Sequence, residues 1–576
     1  MREDARILAA LRVLRRRLAH LADENGIRPP GDPAALTIGD TARLLEEVSE
    51  AIDPSLLEQA ARDGIAELAD FVTPVDESRF FSGVPVVVGH VVAGLPLDRP
   101  EVEQLKDAIT TQRIALAVGP SGAGKSALIW LTAYGSRHEI RWYRMRQLYA
   151  DDVPALVRVV KSLRPTGVIV GFVIDDIGRD DRSGFDHLAK ELREQPSARI
   201  LGACREEDLF LVRCSRDAIQ VRPRLETELA QRLWRELRAR SETPWPEWRE
   251  PFGRSEGLLL EYNHLLAEGK RLPDTIAEQI EQRVREHRSL ELEIMALVAT
   301  ADAFGSAIDV SRLSVALGAD ATQMKEALAR LIAEHLIDEN DGLLSGLHEL
   351  RSRYAMEEFH RIPPPKLAES VSRVIMLVAG TALQTFVTRL LLAGAVPDNV
   401  AVDALAARFA VDADLPAIAA ALQALRVIGF QREAALWREI FAAEQVHPAH
   451  IGVITLYLAG NVDVDAFPEP VKRAVARIRQ LDQAERTDLR RSLLERIDLQ
   501  AVLASAADIS AALTVLAALG EFGMRVNLDA PRLASLVSGG GLADVRLLLE
   551  VTYAIDQQLA VSIADELGGS RVLLHR

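Results

Sequence analysis

Gly119-Pro120-Ser121-Gly122-Ala123-Gly124-Lys125-Ser126 spells G-x-x-x-x-G-K-[ST] in full, and its flanks match the letters. Ile114 to Val118 is an apolar run that reads as a buried strand leading in. Ala127 to Leu131 reads as the first turns of a helix leading out. Gly119, Gly122 and Gly124 carry no Cβ and can take positive φ, so successive N–H groups can turn inward onto phosphate oxygens. The helix that follows adds the positive end of its dipole to the same anion. Lys125 supplies a point charge for the β- and γ-phosphates, and Ser126 a hydroxyl for Mg²⁺. The segment from Gly119 to Ala127 is therefore the expected nucleotide site, against the alternative of a glycine-rich turn that binds nothing. ATP and GTP stay equally open at this point.

Working outward from the loop, apolar runs near 114–118, 139–143, 168–174, 199–203 and 218–221 alternate with helical segments. That order predicts a parallel sheet with crossover helices, its Val- and Ile-rich strands buried on both faces. The run Val168–Ile174 ends in Asp175 and Asp176. Its tip is expected at the sheet edge that carries the phosphate loop, where open α/β sheets bind ligands. Asp175 can hold Mg²⁺ through water, and Asp176 can orient the attacking water. The alternative is two acids opening a surface loop, as Asp180 and Asp181 just beyond suggest. The next strand ends in Arg205, whose guanidinium could reach a γ-phosphate or make a surface ion pair. Cys204 beside it reads as a small core hydrophobe.

The chain is 576 residues long, enough for several domains, and its 48% hydrophobic and 26% charged content is that of an ordinary globular protein. A net charge of −16 argues against a general binder of DNA or anionic membrane. The two cysteines, Cys204 and Cys214, exclude a disulfide framework and fit a reducing cytosol. No secretory leader and no apolar stretch of spanning length is read, so a cytoplasmic protein is expected. Residues 1–75 read as an N-terminal helical region broken by Arg28–Pro33, and Val84–Val88 as a β-rich run. Residues 76–222 form the expected core and 223–285 a helical lid. Residues 286–362 give three short helices and then a turn at Asp338–Gly342 flanked by apolar residues, the layout of a winged helix. Residues 363–576 read as an α-helical array of the HEAT or TPR kind, with a loose echo between Leu493–Leu499 and Leu547–Tyr553.

Phosphate loop, Asp-Asp strand end, strand ending in Arg, helical lid and winged helix, in that order, resemble the STAND class of signalling P-loop NTPases. These include the apoptotic-protease activators, plant resistance proteins and many bacterial defence and regulatory proteins. Leu97-Asp98-Arg99-Pro100-Glu101-Val102-Glu103-Gln104-Leu105 looks like the Gly-Arg-Glu segment that precedes their first strand. Leu347-His348-Glu349-Leu350 looks like their winged-helix histidine motif. The resemblance implies that Arg99, Arg205 and His348 contact nucleotide, with His348 on the diphosphate in the closed form. Ser255–Glu261 sits where the family has Gly-x-Pro, with Leu259 in place of the proline. The resemblance further implies a slow, Mg²⁺-dependent ATPase used as a switch. A trigger would bind at the C-terminal array, exchange of ADP for ATP would open the chain into a homo-oligomer, and residues 1–75 would meet an effector.

Two other readings stay in play. The first is a regulatory ATPase that docks its winged helix on DNA, but the candidate recognition helix Thr322–Leu336 sets Glu326 and Glu334 against Lys325 and Arg330. The second is a small-molecule kinase, in which the long helical continuation has no role.

Overall fold

The structure is a computed structural model describing residues 65–75, 80, 86–163, 167–178, 182, 184–216, 218–240, 242–380, 382–447, 467–483, 488–504, 508–524, 526, 528–537 and 542–567. The readings made for residues 1–64, with the effector role assigned there, lie outside the described residues. The chain divides into two compact units, Met1–Gln282 and Arg283–Arg576.

In the first unit the elements run β1 (Ala66–Leu68), α1 (Val88–Val92), α2 (Pro100–Thr111), β2 (Ile114–Gly119), α3 (Lys125–Gly135), β3 (Ile140–Met145), α4 (Val153–Leu163), β4 (Ile169–Ile177), α5 (Phe185–Leu192), β5 (Ala198–Arg205) and β6 (Ile219–Val221). They build one six-stranded sheet in the order β1-β3-β4-β5-β2-β6. Strands β2 to β6 are mutually parallel, and β1 joins β3 antiparallel at one edge. Side chains alternate across β2 and feed two cores. Ile114, Leu116 and Val118 face α4 and α5, whereas Ala115 and Ala117 face α2 and α3. The five parallel strands fall where the apolar runs predict. The edge strand β1 does not, because Ala66–Leu68 lies in the segment read as helical and its position is set by pairing with β3 rather than by its own pattern. Of the run read as β-rich over Val84–Val88, the structure describes only Val86–Val88, where Val88 opens the short helix α1.

Four helices follow: α6 (Thr227–Ala239), α7 (Arg249–Arg254), α8 (Leu259–Glu268) and α9 (Leu272–Arg285), the last crossing the division between units. Leu225, Leu229, Leu233 and Tyr262 form a core of their own with Trp234, Trp245 and Trp248, which Leu97 and Leu259 join.

The second unit opens with α10 (Ser289–Ala303), β7 (Ile308–Asp309), α11 (Val310–Leu317), α12 (Ala321–Ala333), β8 (Ile337–Asn340), β9 (Leu343–Gly346) and α13 (Glu349–His360). Its small sheet is antiparallel, in the order β7-β9-β8, with a tight turn at Asp341 (φ 50°) and Gly342 (φ 79°). The strand β7 has no counterpart in the sequence reading. From α14 (Leu367–Leu377), α15 (Leu383–Leu392), α16 (Asp398–Val411) and α17 (Leu415–Ala443) onward, every assigned element among the described residues is a helix. The echo noted above is not a structural repeat. Leu493–Leu499 spans the break between two short helices, whereas Leu547–Tyr553 lies inside one. No helix among the described residues is long and apolar enough to cross a membrane.

Candidate phosphate-loop site

β2 is buried along its whole length, ends at Gly119, and passes through the loop into α3 at Lys125. The loop takes its turn at Gly122 (φ 82°) and Gly124 (φ 86°), where a side chain would be strained. Gly119 is different. It keeps strand geometry, and a Cβ there would meet only ordinary contacts with Ala123 and Pro223, so the positive-φ argument does not apply to it. Pro120 is exposed, Ser121 and Ser126 are half-buried, and Ala123 and Ala127 are buried. Lys125 is buried at the head of α3 and donates from Nζ to the Pro120 carbonyl at 2.9 Å. Burial pushes its ammonium pKa down. Asp176 and Asp175 oppose that shift, and the Arg205 charge adds to it.

The two acids are brought to the loop by an irregularity in β4. Between Ile174 and Ile177 the strand carries one residue more than its neighbour β5, a bulge that re-aims side chains. Asp176 takes φ 52°, a conformation costing about 1 kcal/mol that Asp tolerates better than most residues. The half-buried Asp175 carboxylate accepts hydrogen bonds from the Ser126 hydroxyl and from the Asp176 N–H, the latter at 3.0 Å. Its pKa is raised, first by burial and then by the Asp176 charge, with the Ser126 bond pulling the other way. Arg205 is buried at the end of β5, in register with Gly119, and its Nη2 stands 3.8 Å from Asp176 Oδ1. Thus Lys125, Ser126, Asp175, Asp176 and Arg205 converge at one sheet edge, and the Asp-Asp pair is not a mere surface loop.

Arg99 stands elsewhere on the loop. It is buried at the N-terminal end of α2, with Nη1 donating to the Ala123 carbonyl (3.4 Å) and Nη2 to Glu101 (3.2 Å) and to the Arg224 carbonyl (3.0 Å). Its Nε is buried without an acceptor, at a cost of about 1–3 kcal/mol that its other contacts must outweigh. Its guanidinium therefore braces the outside of the loop. The Leu259 side chain sits so close to Gly124 that a Cβ there would come within 2.7 Å of it, and the Leu260 N–H donates to the Gly122 carbonyl at 3.0 Å. These contacts escape a motif search because they are made by main chain and by an aliphatic side chain. Position in the Ser255–Glu261 segment is their only sequence signal.

His348 belongs to the second unit, where it caps α13. Its Nδ1 accepts the Leu350 N–H at 3.1 Å, which leaves the ring proton of the neutral tautomer on Nε2. Among the described residues, no group of three or more His, Cys, Asp or Glu is placed to hold a metal by itself.

No protein-family model and no curated protein matches the chain. Among solved structures, a Walker-type ATPase of Pyrococcus abyssi is similar to 46% of this chain over 96% of its own, at 15% identity and a TM-score of 0.26. That likeness is too distant to carry the fold, which rests on the sheet order and the phosphate loop themselves.

Proposed function

We propose that the chain is an ATP/ADP-operated switch of the STAND kind that hydrolyses ATP slowly with Mg²⁺. The observation that carries this reading is the convergence of buried Lys125, the Ser126–Asp175 hydrogen bond and the Arg205–Asp176 pair beside a glycine-turned loop at a helix N-terminus. Hydroxyl and carboxylate oxygens suit Mg²⁺, so Ser126 and Asp175 fit the ion. An Mg²⁺ ion held by Ser126 and Asp175 would neutralise charge that develops on the phosphates. Lys125 exchanges its Pro120 carbonyl for phosphate oxygens, and the Gly122 and Gly124 peptides turn N–H groups onto them. Asp176 orients and accepts a proton from the attacking water. Arg205 answers the charge of the γ-phosphate, so ATP and ADP differ in what they offer it.

The switch half of the proposal draws on the second unit. The helix, strand, two helices and hairpin from α10 to β9 have the order of a winged helix. On the candidate recognition helix α12, Arg330 is committed to Glu291 at 2.7 Å, which removes a cation from any phosphate contact and disfavours the DNA-docking alternative. His348, at the start of α13, is the residue that recognition of a diphosphate in a closed state would use. In this reading the helices beyond Leu367 sense the trigger, and ATP-loaded chains assemble as homo-oligomers.

The test is to identify the copurifying nucleotide and compare ADP retention and light-scattering mass for wild type and His348→Asn. Asn keeps an acceptor for the Leu350 N–H and removes the rest of the imidazole. Copurified ADP, lost about tenfold faster from the variant together with a rise in mass, is the expected result. Unchanged retention and mass would remove His348 and the winged-helix switch from the proposal. No copurifying or bindable nucleotide would remove the whole of it.

A further inference from the structure

The two carbonyls that close the phosphate loop on its outer side are those of Gly122 and Ala123, and neither is answered from within the loop. The first accepts from the Leu260 N–H at the start of α8, the second from Arg99 Nη1. Arg99 reaches further. Its Nη2 donates to the Arg224 carbonyl at 3.0 Å, while Glu101 Oε1 accepts the Arg224 N–H at 3.3 Å. Arg99 and Glu101 are themselves paired at 3.2 Å. Both main-chain polar groups of Arg224 are therefore clasped, and Arg224 lies on the short linker from β6 into α6. The Pro223 ring lies against Gly119, close enough that a Cβ there would be 3.9 Å from it. Entry to α6 and the start of α8 thus both hang on loop residues 119–124.

We propose that the Arg99–Glu101 pair is a positioning element that transmits filling of the phosphate loop to the helical segment α6–α8. The proposal rests on the nucleotide reading above. Its physical basis is the planar peptide. The Gly122 carbonyl shares a rigid plane with the Ala123 N–H, and the Ala123 carbonyl with the Gly124 N–H, each pair pointing in opposite directions. Tilting those N–H groups onto a phosphate swings the two carbonyls against Leu260 and Arg99. A guanidinium that is planar, buried and fixed to Glu101 cannot absorb the motion by rotating freely, so it passes the motion to Arg224. Arg232 adds a second tie between α6 and this corner, donating to the Asp98 carbonyl at 2.9 Å. Arg99 acts here through the chain it holds, as a positioning residue.

The experiment is amide hydrogen exchange across 227–268 in the full chain, with and without Mg²⁺ and ADP, alongside calorimetry of ADP binding. In the wild type, ADP is expected to slow exchange about tenfold, an ordinary size for coupling between sites. In Glu101→Ala, ADP binding persists and the slowing falls below about twofold. Arg99→Lys, which keeps the charge but cannot bridge two carbonyls, loses the slowing in the same way. If Glu101→Ala fails to fold, Glu101→Gln reads the same pair by removing the charge that faces Arg99, and it should lose part of the slowing. Full slowing retained in the folded variants overturns the inference and leaves the nucleotide reading intact, as does a wild type that binds ADP with no slowing. A wild type that binds no nucleotide overturns both.

Discussion

Both units bury charge, and the contrast between them shows what distinguishes a site from a brace. In the second unit buried ions meet partners on neighbouring helices, although Arg408 leaves Nε and Nη2 buried without a hydrogen-bond partner. Glu291 on α10 is met by Arg283 (3.3 Å), Arg288 (3.4 Å) and Arg330 (2.7 Å), and Arg283 also meets Glu334. Arg408 on α16, with no exposed surface, donates to the Ile375 and Val378 carbonyls at the end of α14 and is pushed down to about 10 by burial. Glu349 lies between Arg353 and Arg389, each at 3.3 Å. At the phosphate loop, burial drives the Lys125 pKa down and the Asp175 pKa up, both toward the uncharged form. A bound anion and a bound cation would reverse both shifts. Buried charge alone therefore says little. Opposition by burial alone says little as well, since Arg408 shares it; an opposed cation and an opposed anion side by side, at a sheet edge and beside a glycine-turned loop, point to a ligand.

The contrast breaks first at Lys125. Lys125→Ala should weaken ATP and ADP binding by about 3 kcal/mol, roughly 150-fold, because it removes the charge-assisted bond that the loop's own motif supplies. The check is calorimetry on a variant with unchanged circular dichroism. Wild-type affinity in that variant would make Lys125 a brace of the same kind as Arg408.

Asp176→Asn probes the same edge in the transition state. Turnover should fall about 100-fold while ATP affinity changes less than about threefold, since a water-orienting carboxylate acts after binding. Single-turnover hydrolysis and equilibrium binding separate the two effects. Equal losses in both would mean that Asp176 serves the ground state by holding Arg205.

The sequence shows these residues unequally. Lys125, Ser126 and the strands β2 to β6 are legible because a fixed motif spacing and apolar runs alternating with helical segments leave few alternatives. Asp175 and Asp176 can be named, yet the bulge that turns them toward the loop cannot be read, because it arises from a mismatch of one residue between β4 and β5. The edge strand β1 is too short to show its own pattern. Arg99 is legible only through a resemblance, whereas its grip on Ala123 and Arg224 reaches 24 and 125 residues along the chain. Leu260 contributes only its N–H and leaves no side-chain signal. In the second unit the helices are readable and their ion pairs are not, since Glu291 and Arg330 look like ordinary solvated positions.

Glu291→Ala sharpens the other side of the contrast. It strips the buried Arg283 and the exposed Arg330 of a shared partner, although Glu334 still meets Arg283. The second unit should lose about 2 kcal/mol and melt about 5 °C lower. Nucleotide affinity should stay at the wild-type level. Calorimetric scans resolve this, and a parallel loss of binding would show that the cluster belongs to the nucleotide machinery after all.

The smallest effect is expected at Asp175, and its sign is the test. A carboxyl whose pKa is raised on folding binds protons more readily in the folded chain than in the unfolded one. Stability contributed by that group therefore falls as pH rises through its folded pKa, and the penalty is complete above it. Asp175→Asn removes the penalty while keeping an oxygen to accept the Ser126 hydroxyl and the Asp176 N–H. Without nucleotide or Mg²⁺ at pH 7.5, the variant should therefore melt about 2 °C higher than the wild type. The gain should shrink toward zero as the pH falls and wild-type Asp175 takes up its proton. Adding Mg²⁺ with ATP should reverse the order, because the wild type alone then has a carboxylate for the ion. Thermal melts at pH 5 and 7.5, with and without Mg²⁺ and ATP, provide the four comparisons. A variant less stable than wild type at pH 7.5 without ligand would mean that the ionised Asp175 is satisfied by the protein itself, as Glu291 is in the second unit.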